Sequence, residues 1–169
     1  RRVSVFSPAV LTVARISAGT TTNIIPETAE LEGTIRSLSA PTRELVHDEL
    51  RRVCQHVGAA HGCTVEVTID AGYPLTVNDR EVAAGLVGLA ENVLGPGHGE
   101  QMSDPLMGAE DFSYVLQQVP GAMAFLGACP PGTTPEDAAP NHSNRVLFDE
   151  SALTQGVAMY AAFALDALR

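Results

Sequence analysis

The chain has 169 residues and a formal net charge of -10. A chain of this length can bury about 70% of its unfolded surface, enough for one domain or two small ones. Its acidic balance argues against nucleic acid and anionic membranes as partners, and no apolar run approaches the ~20 residues of a membrane span.

The three cysteines, Cys54, Cys63 and Cys129, form no CxxC pair and are odd in number. This usage argues against a disulfide framework and favours a reducing compartment, so we expect a cytoplasmic protein whose cysteines are small apolar residues.

The first part of the chain predicts the order strand, strand, helix, strand. Val10 to Ser17 is rich in β-branched residues, and Glu27 to Ser37 alternates so that Arg36 stands on its open face. Pro41 opens a predicted helix that Gly62 ends, and Thr64 to Asp70 alternates again. The apolar stripe of that helix is Val46, Leu50, Val53, Val57 and Ala60.

This order is incomplete as an independent fold. It becomes a split βαβ, ferredoxin-like plait if a strand and a helix precede residue 1. The chain also begins Arg1-Arg2-Val3 rather than with methionine. We therefore expect a fragment or a processed product.

The second part, after a crossing near Gly72, predicts helices around one buried strand. Asp79 caps a helix with Val82, Leu86, Leu89 and Val93, and a short helix carries Phe112, Val115 and Val119. Ala122 to Gly127 is a continuous apolar run, typical of a strand buried on both faces. Asp149 is the predicted cap of the last helix. The apolar stripe of that helix is Leu153, Val157, Tyr160 and Ala164.

Asn23 and Arg36 are candidates for binding a carboxylate. Asn23 lies in the turn that leads into the second strand, and the planar fork of an arginine matches two carboxylate oxygens. The competing interpretation is a turn asparagine and a solvated charged face.

Two further segments carry candidate residues. His142 follows the predicted buried strand and a long loop, where α/β sheets place their sites, although a hydrogen-bonding loop histidine has the same signature. Gly108 could allow close approach of a substrate to the backbone, with Glu110 and Asp111 as supporting acids. The alternative for the two acids is capping of the helix that follows.

Three ordered motifs resemble the metal-dependent amidohydrolases that include hippurate hydrolase, N-acyl-amino-acid amidohydrolases, plant auxin-conjugate hydrolases and, more distantly, carboxypeptidase G. The resemblance covers nearly the whole chain but only the carboxyl-terminal half of such an enzyme. The motifs are Gly19–Pro26 running into Gly33–Arg36, Met107–Phe112 followed by Pro120-Gly121 and Phe125-Leu126-Gly127, and Asn141-His142-Ser143 leading to Phe148-Asp149-Glu150.

The resemblance implies an α/β fold of two parts. Residues 1–74 would be most of a ferredoxin-like lid, which often pairs with another lid to form a homodimer. Residues 75–169 would close an α/β catalytic domain of the zinc-peptidase type.

The resemblance also implies site residues and a reaction. His142 matches the last metal-binding histidine, Asn23 and Arg36 match lid residues that hold the substrate, and Gly108 matches a backbone position beside it. The implied reaction is hydrolysis of an N-acyl amino acid or small peptide by a water on a Zn or Mn pair. The general base and the other metal ligands would lie upstream, so we expect residues 1–169 alone to be inactive and to hold no metal pair.

Two other hypotheses remain open at this stage. One is a non-catalytic truncated product that acts as a dimerisation or small-ligand-binding module. The other is a free-standing ferredoxin-like ligand-binding domain with an unrelated α/β tail, which leaves the match at Asn141-His142-Ser143 to chance.

Overall fold

The structure, a computed structural model, describes residues 2–168. The chain divides into two compact units, Arg1–Leu75 with Asp104–Asp111, and Thr76–Ser103 with Phe112–Arg169. The elements in chain order are β1 (Ala9–Ala18), β2 (Ala29–Ser37), α1 (Ala40–Ala60), α2 (Arg80–Leu94), α3 (Phe112–Leu116) and α4 (Ala152–Ala167).

In the first unit, β1 and β2 form an antiparallel hairpin with one bulge. Val13 pairs with Gly33 and Arg15 with Glu32, so Ala14 is the extra residue. A bulge resets the alternation of a strand, which brings Arg15 onto the charged face of the hairpin. There its guanidinium donates to both carboxylate oxygens of Glu32, at 3.0 Å each.

Helix α1 begins and ends as its sequence predicts. The Ser39 hydroxyl accepts a hydrogen bond from the Thr42 amide, and Pro41 occupies the first turn, where its missing N–H costs nothing. Gly62, just beyond the helix, has a φ of 70°, a left-handed conformation that favours glycine.

The packing face of α1 differs from the predicted stripe in its second half. The helix contacts the hairpin and its Val46 is buried, but Val53 and Val57 are exposed. Steps of four from Val46 lead instead to the half-buried Cys54 and the buried Gly58. The prediction failed because it gave no weight to a cysteine or a glycine, whereas both fit against a neighbour.

The predicted third strand, Thr64–Asp70, has no strand partner among the residues that the structure describes. Its alternation is present, since Val65, Val67 and Ile69 are half-buried and the residues between them are exposed. Val65 lies against α1, where a Cβ on Gly58 would come 2.3 Å from the Val65 Cγ2. Alternation therefore predicted the buried face correctly, but it carries no information about a hydrogen-bonded neighbour.

In the second unit, α2 packs against α4, and each helix has one buried small residue, Ala90 in α2 and Ala152 in α4. Asp79 caps α2 as predicted, because its carboxylate accepts from the amides of Glu81 and Val82 at 3.0 Å. The short helix α3 is confirmed, although it ends at Leu116 and does not reach Val119.

The prediction of a buried strand at Ala122–Gly127 is wrong. The segment belongs to no sheet within residues 2–168, and the Phe125 side chain is 62% exposed. The side chain of Asn78 holds the start of the segment by donating to the Met123 carbonyl at 2.9 Å and accepting from the Met123 amide at 2.8 Å. A run of apolar residues indicates that a segment is suited to burial, but it does not show that a neighbouring strand is present to pair with it.

The predictions for α4 also need correction. Ser151 occupies the N-cap position but makes no side-chain capping bond, and the Asp149 carboxylate accepts from the Ser151 amide, before the helix begins, at 3.0 Å. The hydrogen bonds from the Ser151 hydroxyl and amide lower the pKa of Asp149. The predicted stripe lies on the exposed side, with Val157 70% and Tyr160 83% exposed, because the helix packs through its small residues.

The described surface is large for a chain of this mass. The accessible area is 13635 Å², whereas a compact monomer of this size exposes about 8,000 Å² and two separate half-size units about 9,600 Å². Only Val46, Ala90 and Ala152 are buried apolar residues in the part of the chain that the structure describes. Much of the apolar surface that the sequence provides is thus uncovered.

The loop after α2 is built around the carboxylate of Glu91. Its oxygens accept hydrogen bonds from the amides of Gly99 at 2.8 Å and Gly97 at 3.0 Å. These two amides lower the pKa of Glu91 because they stabilise the charged form, and the Gly99 amide makes the larger contribution. The glycines are therefore a backbone site for an internal carboxylate.

We expect Gly33→Ala to destabilise the hairpin. A Cβ at this position would lie 2.2 Å from the Thr12 carbonyl oxygen, a backbone atom that cannot rotate away. The free energy of unfolding should fall by about 1–3 kcal/mol, measured by urea denaturation and by amide exchange in β1 and β2. Gly85→Ala in α2, where a Cβ meets nothing within 4 Å, is the matched control. Equal stability of Gly33→Ala and wild type would contradict the register at the bulge.

We expect the contribution of Glu91 to stability to depend on pH. Its folded-state pKa is lowered, so the stabilisation is present above the unfolded-state pKa of about 4.3 and is lost as the pH falls through the folded-state value. The gap in unfolding free energy between wild type and Glu91→Gln should be widest near neutral pH and should narrow in acid. Glu100→Gln, which removes the same charge, is the control. A gap that does not change with pH would contradict this role.

Candidate functional site

Arg36 and the segment Met107–Gly108 meet within the first unit. A terminal nitrogen of the Arg36 guanidinium donates to the carbonyl oxygen of Met107, 71 residues further along the chain. Arg36 is exposed and Met107 is half-buried. Two of the three predicted substrate-binding residues are therefore neighbours, since Gly108 follows Met107 directly.

Asn23 lies elsewhere on the hairpin. It belongs to the loop that joins Ala18 to Ala29, whereas Arg36 pairs with Val10 near the opposite end. The strand residues from Ala29 to Arg36 span about 24 Å at the usual rise. The amide oxygen of Asn23 accepts from the Thr21 hydroxyl at 3.0 Å. The structure does not bring Asn23 and Arg36 into a common carboxylate site.

Gly108 lies in an open part of the first unit. A Cβ built on it meets nothing within 4 Å, so its backbone can be approached without obstruction. Glu110 is half-buried and makes an interaction of its own, and Asp111 is exposed directly before α3. These two acids stand close to Gly108 in sequence, and their supporting role stays a prediction.

His142 belongs to the second unit and is exposed in a turn. The turn is held by its own hydrogen bonds, from the Ser143 amide to the Pro140 carbonyl at 2.8 Å and from the Arg145 amide to the Ser143 hydroxyl at 3.1 Å. A bond of 2.9 Å from the Asp149 amide to the Ala128 carbonyl closes the surrounding loop. The imidazole is thus presented to solvent on a braced turn.

The described residues do not form a metal site around His142. No group of three or more His, Cys, Asp or Glu side chains suited to a metal occurs within residues 2–168. A catalytic zinc takes three protein ligands, and His142 alone offers one. The role of His142 as a metal ligand therefore depends on donors from outside this stretch.

The main feature that the sequence did not reveal is the Met107 carbonyl as the partner of Arg36. A backbone acceptor has no side-chain signature, and the two residues are far apart in the chain. The only sequence signal that could have linked them was the order of the motifs that contain them. Within residues 2–168, no helix is long and apolar enough to cross a membrane.

Comparison with known proteins places these observations in a family. The model of peptidase family M20/M25/M40 matches residues 3–166. Thermostable carboxypeptidase 2 of Saccharolobus solfataricus is 36% identical over 98% of this chain and 41% of its own length. N-acetyldiaminopimelate deacetylase of Leuconostoc citreum is 30% identical over the same shares. The chain thus spans less than half the length of these relatives.

Solved structures confirm the expected α/β fold class. The Bacillus subtilis YXEP protein, described as a dinuclear metal binding peptidase from the M20 family, is 28% identical with a TM-score of 0.77, over 95% of this chain and 42% of that one. A chain from methicillin-resistant Staphylococcus aureus, 24% identical, has the same fold with a TM-score of 0.83, over 100% of this chain and 42% of its own. The family match, the ordered motifs and the shared fold agree: this chain belongs to peptidase family M20/M25/M40.

Proposed function

We propose that the chain is part of a dinuclear metal-dependent amidohydrolase that cleaves N-acyl amino acids or small peptides into an amino acid and a carboxylic acid. The observation that carries this proposal is the contact of Arg36 with the Met107–Gly108 backbone. It unites two of the three family motifs at one exposed place, with a cation for a carboxylate and an unobstructed backbone beside it.

The names of the relatives support this substrate class. A carboxypeptidase acts at the carboxyl end of a peptide, and N-acetyldiaminopimelate is an N-acyl amino acid. Both substrates carry a carboxylate near the amide that is cleaved. An arginine that binds this carboxylate would orient the amide that is cleaved. Without that orientation, the transition state would be bound less tightly.

In this proposal the chain contributes substrate binding and one metal ligand. Arg36 binds the carboxylate and the Gly108 backbone lies beside the substrate, whereas Asn23, near the other end of the hairpin, lies too far from Arg36 to contact the same small molecule within one chain. His142 supplies one imidazole to a Zn or Mn pair. The other ligands and the general base would come from the remaining part of a longer polypeptide, so residues 1–169 alone would be inactive.

The proposed organisation assigns residues 1–74 to the lid and residues 75–169 to the catalytic part. Pairing of two lids would make the enzyme a homodimer. The hairpin supports such pairing, because both of its outer strand edges are unpaired in the described structure and Ile16 is 70% exposed. We place the enzyme in the cytoplasm on the basis of its cysteine usage.

A second candidate function is a non-catalytic module for dimerisation or ligand binding. The observation in its favour is the absence of a metal-binding cluster within residues 2–168. The length of the gene product distinguishes the two candidate functions. A polypeptide of 169 residues supports the non-catalytic module, whereas a longer one with further metal ligands supports the enzyme.

We expect Arg36→Ala in the full gene product to impair hydrolysis of hippurate. Removal of a cation that binds a desolvated carboxylate should lower kcat/KM, with a loss of transition-state stabilisation of about 2–5 kcal/mol. Arg15→Ala is the matched control, since Arg15 lies on the same charged face but pairs with Glu30 and Glu32. An unchanged kcat/KM for Arg36→Ala would contradict the proposal that this arginine binds the substrate carboxylate.

We expect His142→Ala to reduce metal binding by the full gene product. Two equivalents of Zn²⁺ should bind to the wild type, and loss of one imidazole should leave the variant with fewer, measured by elemental analysis after gel filtration. His61→Ala, which removes an exposed histidine of the other unit, should retain both metals. A His142→Ala variant that keeps two equivalents would show that His142 is not a ligand.

A further inference from the structure

The peptide group between Met107 and Gly108 carries an acceptor, the Met107 carbonyl, and a donor, the Gly108 N–H. None of the described peptide bonds is cis. In a trans peptide the C=O and N–H bonds are coplanar and point in opposite directions. Because Arg36 donates to the Met107 carbonyl, the Gly108 N–H points away from the guanidinium. Arg36 thereby sets the orientation of a donor that it does not touch.

The Gly108 N–H is free to bind a ligand. No protein acceptor for it occurs in the described part of the chain, and Gly108 is exposed. A hydrogen bond from a cation to the carbonyl polarises the peptide and makes its N–H a stronger donor. The donor is therefore oriented, strengthened and on an exposed residue.

We propose that Arg36 is a positioning residue for the Gly108 N–H, which acts as a hydrogen-bond donor to an oxygen atom of an acyl amino acid. The proposal rests on the proposed function for the identity of the ligand, but the coupling of Arg36 to Gly108 is a property of the first unit itself. Part of the contribution of Arg36 to substrate binding then passes through the Met107–Gly108 peptide.

This role differs from direct binding of a carboxylate by Arg36. The Met107 carbonyl uses one N–H of the guanidinium, and its remaining N–H groups have no partner within residues 2–168. Those groups can still bind a ligand on their own side of the peptide. The two donors, the guanidinium and the Gly108 N–H, therefore face different ligand atoms, so a single oxygen cannot contact both.

The test is the amide signal of Gly108 in the full gene product labelled with ¹⁵N and ¹³C. A hydrogen bond to the preceding carbonyl deshields the amide nitrogen, so Arg36→Met should shift the ¹⁵N signal of Gly108 and the carbonyl ¹³C signal of Met107 upfield. Arg36→Lys, which keeps a cationic donor, should shift them less. Arg15→Met is the control and should leave both signals in place.

The signals of Gly33 and Gly99 in the same spectra report whether each unit is folded. If Arg36→Met unfolds the first unit, the comparison of Arg36→Lys with wild type decides. Gly108 and Met107 signals that do not respond to a change of Arg36 in a folded variant overturn the coupling. A response confined to Gly108 and its neighbours supports it.

Addition of hippurate tests the ligand. In the full gene product, the Gly108 amide proton should move downfield on binding, and the movement should be smaller in Arg36→Met. If hippurate is hydrolysed but the Gly108 signal does not respond, the present inference fails while the proposed function stands. If hippurate is neither bound nor hydrolysed, the proposed function fails, and the ligand assignment made here fails with it.

Discussion

The helices and the hairpin of this chain bury only part of their apolar surface against one another. Three apolar residues are buried within residues 2–168, while Phe125 and, on α4, Val157 and Tyr160 are exposed. Burial of apolar surface is the main favourable term in folding, so the described elements use only part of the stabilisation that the apolar residues offer. Local hydrogen bonds fix the starts of α1 and α2, at Ser39 and Asp79, and the loop around Glu91.

Two predicted strands likewise have no hydrogen-bonded partner in the described structure. Thr64–Asp70 alternates and packs one face on α1, and Ala122–Gly127 is apolar throughout, yet neither joins a sheet in the described structure. A strand is defined by its neighbour, and the relatives are more than twice as long as this chain. Under the proposed function, a longer polypeptide would supply strands beside both segments.

The sequence predicted well what depends on nearby residues. Alternation, caps and glycines located β1, β2, α1 and α2, because each of these signals acts within a few residues. It predicted poorly the packing faces of α1 and α4, where the small residues Gly58 and Ala152 meet their neighbours. Small residues carry little weight in a hydrophobic pattern, although they allow the closest approach of two elements.

The candidate site shows the same division. The motifs identified Arg36, Gly108 and His142 as residues of interest, but only the structure paired Arg36 with a backbone carbonyl and separated it from Asn23 along the hairpin. Contacts between distant residues depend on the register and on the path of the backbone, which a single sequence does not specify. The chemistry of the site was therefore more predictable than its geometry.

The central proposal is that this chain is one part of a longer metal-dependent hydrolase. The most direct test is the intact mass of the denatured gene product purified from its source. The chain has a mass of 17.7 kDa and spans 41% of the relatives, so the account predicts about 43 kDa. A mass of 17.7 kDa would contradict it and would favour the non-catalytic module.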